Sequence, residues 1–260
     1  MLGAVKTLLK ESLVVQTRYR RYVQPHLPQY ELETYLLRGI EFDQCVDVGA
    51  HAGTYSILLS HHSKRVFAFE PSAHSYAILR NLGISNLSPF NLALGDRSGD
   101  AELTLPIVRG KIDYALGTLR MGADDRHQEA SVQKVKVAKF DDFQTEIDFN
   151  RIDFVKIDVE GFEMQVLRGM KCLVESRKPA LLIEIEQRHN AGYREVFEYL
   201  AALNYQTYIT LDGALLKQCR VGDLADMQSP EKFALDEGRK FRVGERKSYI
   251  NNFFFLQNEH

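Results

Sequence analysis

A chain of 260 residues with 45% hydrophobic content is long enough for one large α/β domain. Its 33 Lys and Arg against 35 Asp and Glu leave a formal charge of -2, so no global attraction to nucleic-acid phosphates is expected. Three cysteines, Cys45, Cys172 and Cys219, are odd in number and far apart, which argues against a disulfide framework or a Cys-x-x-Cys zinc site and for a reducing, cytoplasmic setting. No stretch reaches the ~18 apolar residues of a membrane-spanning helix, and Lys6, Lys10 and Glu11 interrupt any signal-peptide core.

Residues 1–29 read as an N-terminal helical extension. Val5, Leu8, Leu9 and Leu13 recur on one side, and Arg18, Arg20 and Arg21 follow. Ordinary packing on the same domain or on a second copy in a homodimer produces such periodicity, and an anionic membrane surface is the competing use of a basic amphipathic helix.

From residue 30 to 260, strand-like apolar runs alternate with helical periodicity, the pattern of parallel βαβ units. A helix is expected over Tyr30 to Gly39 and the first core strand over Gln44 to Val48. Then come a helix over Thr54 to His62, a second strand over Arg65 to Glu70, and a helix over Ser72 to Leu82 with Ser72 as its cap. The third strand is Ser88 to Leu92, the fourth Ile152 to Ile157, and the fifth Ala180 to Glu186. Helices are expected at Phe162 to Met170 and from Tyr193 to Leu203, with later strands at Tyr205 to Thr210 and Asn252 to Leu256. Two interruptions break the rhythm. Residues 99–140 contain two extra strands, Ala101 to Leu105 and Val132 to Val137, around a long segment of the kind that serves as a lid or binding loop. Leu211 to Tyr249 carries Arg239, Lys240, Arg242, Arg246 and Lys247, a solvated surface or a docking patch for an acidic acceptor.

The chemistry is written around the first strand. Cys45 to Val48 runs into Gly49-Ala50-His51-Ala52-Gly53, then Thr54 and Tyr55 open a helix, while Glu70 closes the second strand. Such a turn brings backbone close to a ligand, and an acidic residue ending the second strand accepts ribose hydroxyls in nucleotide-binding folds. The spacing is Gly-x-x-x-Gly and lacks the second and third glycines that admit a pyrophosphate. S-adenosylmethionine, which has no phosphate, therefore fits better than NAD.

Ligands in open α/β sheets sit beyond the carboxyl ends of the strands. On that rule Asp47, Gly49, His51, Gly53, Thr54 and Tyr55 hold the methionine end of the cofactor and Glu70, followed by Pro71, the ribose. Ala93 and Leu94 flank the adenine, with Asp96 beside them, and Asp158 reaches the cofactor from the fourth strand. Methylating a hydroxyl requires in-line alignment and removal of a proton. Asp158 and His189 are the expected acid–base or acceptor-positioning pair, with Glu160 and Glu184 in support. Glu163 suits the first turn of a helix, and Lys156, inside an apolar strand, needs a carboxylate partner.

Several segments together resemble the FkbM-type family of S-adenosylmethionine-dependent methyltransferases. They are Val46 to Gly53, Phe67 to Pro71, Asn91 to Asp96, Phe154 to Glu163, Leu182 to Glu186 and Asn252 to Phe255. The motif order agrees from about residue 30 to 256, and His51 stands where the family often has Asn. The resemblance implies a class I, Rossmann-like fold: a seven-stranded, mostly parallel sheet with an antiparallel last strand and helices on both faces. It also implies an enzyme that O-methylates a hydroxyl of a sugar, glycan or glycolipid, with a polyketide or other natural product as the alternative acceptor. In catechol-type methyltransferases, carboxylates after core strands bind Mg²⁺, so a divalent metal at Asp158, Glu160 and Glu184 stays open. A non-catalytic cofactor-binding scaffold is the reading from another class, and an NAD-dependent oxidoreductase lacks its glycine fingerprint.

Overall fold

The computed structural model describes residues 32–257, apart from 39, 109, 115–116, 121–129, 189, 191, 214–215 and 237–244. The N-terminal helical extension over residues 1–29, His189, and Arg239, Lys240 and Arg242 of the basic cluster lie outside the described residues. Among those described, no helix is long and apolar enough to cross a membrane.

A short helix, α1 (Glu33–Leu37), precedes β1 (Phe42–Val48). The chain then alternates through α2 (Thr54–His62), β2 (Ser63–Phe69), α3 (Ala73–Arg80) and β3 (Leu87–Phe90). Ser72 is the cap of α3, accepting a hydrogen bond from the Ser75 backbone N–H, which satisfies one otherwise orphaned donor. After an insertion the rhythm resumes with β9 (Ile152–Ile157), α4 (Glu163–Gly169), α5 (Lys171–Ser176), β10 (Ala180–Glu184), α6 (Tyr193–Ala202) and β11 (Tyr205–Thr210). The end of the chain supplies β12 (Leu216–Gln218), α7 (Leu224–Met227), α8 (Pro230–Asp236) and β13 (Asn252–Gln257).

The main sheet has the order β12-β11-β13-β10-β9-β1-β2-β3. β3, β2, β1, β9 and β10 are parallel neighbours, and β13 runs antiparallel between β10 and β11. Seven of these strands reproduce the class I expectation, and the eighth corrects the count. β12 is three exposed residues paired antiparallel to β11, too short and polar to show in hydrophobic periodicity.

The central strands are buried on both faces, as parallel strands covered by helices must be. On one face Val46, Val48, Val155, Ile157, Ile183, Phe253 and Phe255 pack with Val166 and Leu167 of α4 and Val196 and Phe197 of α6. On the other, Cys45, Phe154, Leu182 and Phe254 meet Leu37 of α1 and Tyr55 and Leu59 of α2. Period-two alternation puts Asp47, Lys156, Glu184 and Asn252 on this second face, at the ends of its apolar rows.

The insertion is a second sheet. Its strands are β4 (Ala93–Leu94), β5 (Gly99–Val108), β6 (Lys111–Ile112), β7 (Thr118–Arg120) and β8 (Ala130–Ala138). β5 and β8 form its antiparallel centre from Gly99 opposite Val137 to Pro106 opposite Ala130. Ala101, Leu103, Leu105, Val135 and Val137 alternate onto one buried face. Phe140 and Phe143, at the insertion's exit, meet Phe69 edge-on, and Phe69 itself stacks on Phe90. The second sheet is thereby anchored at the carboxyl ends of β2 and β3.

Candidate functional site

The carboxyl ends of β1, β2, β9 and β10 open into one cavity of about 370 Å³. Its floor and one wall come from Asp47, Gly49, Ala50, His51, Thr54, Tyr55, Glu70, Pro71 and Ser72. The opposite end carries Asp158, Val159, Glu160, Phe162 and Glu184, and the insertion closes over it with Leu103, Tyr114, Gly117 and Leu119. A ring stack between Tyr114 and His74 of α3, 4.2 Å between centroids, ties that closing wall to the main domain.

The turn after β1 is shaped mainly by protein contacts. Gly49 has φ +79, and a Cβ there would lie 1.9 Å from the Asp158 carbonyl oxygen, so glycine lets the exits of β1 and β9 touch. Gly53, at φ +95, meets Leu79 and Leu82 of the α3 region, at 2.8 and 2.7 Å from a built Cβ, and does not line the cavity. His51 sits at φ +48, a left-handed conformation in which Asn and His are enriched. The backbone N–H groups of Gly49 and Ala50 donate to Phe69 O.

Glu70 is the centre of the cavity's β2 end. Its Oε2 accepts from the His51 N–H at 2.8 Å and its Oε1 from the Ser72 N–H at 2.7 Å. Each carboxylate oxygen has a second acceptor site, so the clamped group can still take two neighbouring hydroxyls. Burial pushes its pKa up to about 7 against those two backbone bonds. Asp47 accepts from Ser56 Oγ at 2.6 Å, and burial raises it to about 6 although the Ser56 hydrogen bond and the Lys156 charge pull the other way.

Behind Asp158 and Glu184 lies Lys156, fully buried. Its Nζ donates to Asn252 Oδ1 at 3.0 Å, stands 3.6 Å from Asp158 Oδ2 and 4.0 Å from Glu184 Oε2, and lies 4.9 Å from the centroid of the Tyr55 ring. Asn251 Nδ2 bridges Glu184 and Glu186 at 2.6 and 3.2 Å; of the two carboxylates, Glu184 lines the cavity and Glu186 pairs with Arg188. Glu163 opens α4 and accepts from the Gly161 N–H and Asn190 Nδ2; burial raises it to about 7.

Of the residues singled out in the sequence, Asp47, Gly49, His51, Thr54, Tyr55, Glu70, Pro71, Asp158, Glu160 and Glu184 come together around this cavity. Ala93 and Leu94 do not line it, because the chain after β3 turns at once into β4 and pairs with β8 inside the second sheet. Asp96 is exposed beside them. Asp158, Glu160 and Glu184 form no metal-holding group, nor does any other set of three or more His, Cys, Asp or Glu among the described residues. Tyr114, Leu119 and Phe162 were not singled out; the length of the insertion marked the segment that carries the first two.

Residues 47–208 match the model of a family described as the methyltransferase FkbM domain. Methyltransferase 1 of Beauveria bassiana is 29% identical over 142 residues, which are 48% of this chain and 57% of that protein. The chain therefore spans less than two thirds of that relative. Hexuronic acid methyltransferase AglP of Haloferax volcanii is 26% identical over 179 residues, 67% of this chain and 69% of the relative. A methyltransferase FkbM structure from Methylobacillus flagellatus KT is similar at 19% identity with a TM-score of 0.49, over 74% of this chain and 46% of that one.

Proposed function

Because the chain belongs to the FkbM family of methyltransferases, we propose that it transfers a methyl group from S-adenosylmethionine to a hydroxyl of a sugar or glycan. The observation that carries this reading is the pairing, in one cavity, of the clamped Glu70 at one end with Asp158, Glu160 and Glu184 at the other. The residues fit the cofactor: Glu70 takes the two ribose hydroxyls, and Asp47, His51, Thr54 and Tyr55 surround the methionine end.

When bound, S-adenosylmethionine supplies a methyl group on a sulfonium, an electrophile that needs no further activation. The chain's own tasks are alignment and proton removal, because an alcohol ionises poorly at neutral pH. Asp158 accepts the proton of the acceptor hydroxyl. Glu160 and Glu184 accept hydrogen bonds from neighbouring hydroxyls and fix the acceptor's orientation, with His189 as a second candidate for the proton.

A sugar acceptor is supported by the name of the hexuronic acid methyltransferase relative and by a described lining rich in carboxylates, which suit hydroxyl donors. The apolar wall of Leu103, Leu119, Val159 and Phe162 favours, as a second reading, a polyketide or other natural product. Incubation with methyl-labelled S-adenosylmethionine and separate glycan, glycolipid and apolar extract fractions tests both. Label in the carbohydrate fractions supports the first reading, and label confined to the apolar fraction replaces it with the second.

A further inference from the structure

We infer that Lys156 is a positioning residue of this site: its buried ammonium, tethered by Asn252, is the shared counter-charge that orients Asp47, Asp158 and Glu184 around the cavity. The inference rests on the methyltransferase reading of that cavity. An ammonium taken wholly out of water is costly unless paired and hydrogen-bonded, so a fully buried lysine near the end of an apolar strand asks for a purpose. A structural ion pair needs one carboxylate. Here the cation is approached from β1, β10, β13 and α2 as well as by Asp158 just beyond its own strand, and the three carboxylates around it all line the cavity.

The strand register explains the arrangement. Asp47 of β1 is the direct partner of Lys156 across the parallel pair, and Glu184 of β10 is the direct partner of Asn252 across the antiparallel pair. Alternation puts all four on one face, beneath the Tyr55 ring of α2. Asp158 follows Lys156 by two residues and returns to the same side. The groups facing the ammonium include Asp47, Asp158, Glu184 and the Tyr55 ring, with Asn252 as a neutral acceptor. Asn252 holds Nζ in place and leaves its charge to act on the carboxylates. Asp47 serves the donor end, whereas Asp158 and Glu184 serve the acceptor end, so one buried charge conditions both halves of the reaction. In the transfer, the methyl–sulfur bond breaks with its electron pair going to sulfur, the acceptor oxygen forms the new bond, and its proton passes to Asp158, whose orientation Lys156 maintains.

Lys156→Gln, Lys156→Arg and Asn252→Ala test this. In cofactor-free protein, the Asp47 pKa followed by carbon NMR, which burial pushes up to about 6 in the parent chain, is expected to move upward by about one unit in Lys156→Gln and part of the way back in Lys156→Arg. For transfer, the acid limb of kcat is expected to shift to higher pH in Lys156→Gln, with kcat falling further than KM rises. A folded Lys156→Gln with the parent's Asp47 titration and the parent's pH profile overturns the inference. Should Lys156→Gln fail to fold, Asn252→Ala decides: a loosened tether lowers kcat about tenfold or more, and parental kinetics overturn the inference. Failure of the parent chain to bind S-adenosylmethionine is a separate outcome that removes the cofactor reading, and the NMR arm still scores the role of Lys156.

Discussion

Glu70 has both carboxylate oxygens engaged by backbone N–H groups and still faces the cavity. Replacing it with Gln keeps the size and turns one acceptor oxygen into a donor that confronts the N–H of His51 or Ser72. Glu70→Gln is expected to weaken S-adenosylmethionine binding by about 10- to 100-fold, the range for a lost charged hydrogen bond, measured by calorimetry; parental affinity would take Glu70 off the ribose. Asp158→Asn is expected to leave that affinity within about threefold and to lower kcat by about 10²- to 10⁴-fold, the usual worth of a general base. Parental turnover in a steady-state assay would remove Asp158 from proton transfer. At this scale the sequence was informative wherever a residue had to be polar at the end of an apolar strand, as at Asp47, Glu70, Asp158 and Glu184. It was silent on Tyr114 and Phe162, whose aromatic side chains carry no signal apart from the sheet and helix that aim them. Gly53 was legible as a special position, and the structure adds a packing reason, because its missing Cβ makes room for Leu79 and Leu82.

Elements of the main sheet follow from periodicity, and α2, β9 and β11 occupy the expected residues. The helix expected over Phe162 to Met170 ends at Gly169, and a second helix begins at Lys171 with Met170 between them at φ -116, ψ 28. Apolar spacing continues through Leu173 and Val174, so a break in backbone geometry leaves no trace in it. The break coincides with a close approach: a Cβ on Gly169 would lie 1.9 Å from the Gly95 carbonyl oxygen, where the root of the second sheet crosses α4. Gly169→Ala is therefore expected to lower stability by about 1–3 kcal/mol through overpacking, with the thermal midpoint as the readout. An unchanged midpoint would mean that the insertion's root shifts freely. The second sheet illustrates the other limit of periodicity: β5 and β8 were visible by alternation, whereas β4, β6 and β7, two or three residues each, exist because β5 and β8 offer them edges.

Across the whole molecule, three buried carboxyls are held above their ordinary range: Asp47 at about 6 and Glu70 at about 7 in the cavity, and Glu163 at about 7 at the start of α4. Burial is the first cause in each case. Folding favours their protonated forms, so the stability they contribute is full below the ordinary carboxylate range and is lost as pH rises through about 6 to 7. Asp43 works in the opposite sense, because the Arg151 side chain holds its pKa well below the usual value, and its contribution is lost only in strong acid. The cofactor-free protein is thus expected to melt at its highest temperature near pH ~4 and progressively lower toward pH ~7. Scanning calorimetry across that window checks the sign, and a midpoint that rises with pH would contradict it. These ionisations also set the direction for ligand binding: a cation-bearing cofactor whose ribose needs the Glu70 carboxylate binds more tightly above about pH 7 than below it.

The central claim is that the Glu70 end of the cavity receives S-adenosylmethionine. Isothermal calorimetry of the folded chain at about pH 8, with S-adenosylmethionine and NAD titrated separately, tests it most directly. The account predicts saturable one-to-one binding of S-adenosylmethionine and no heat from NAD; no binding of S-adenosylmethionine, or NAD bound in its place, would contradict it.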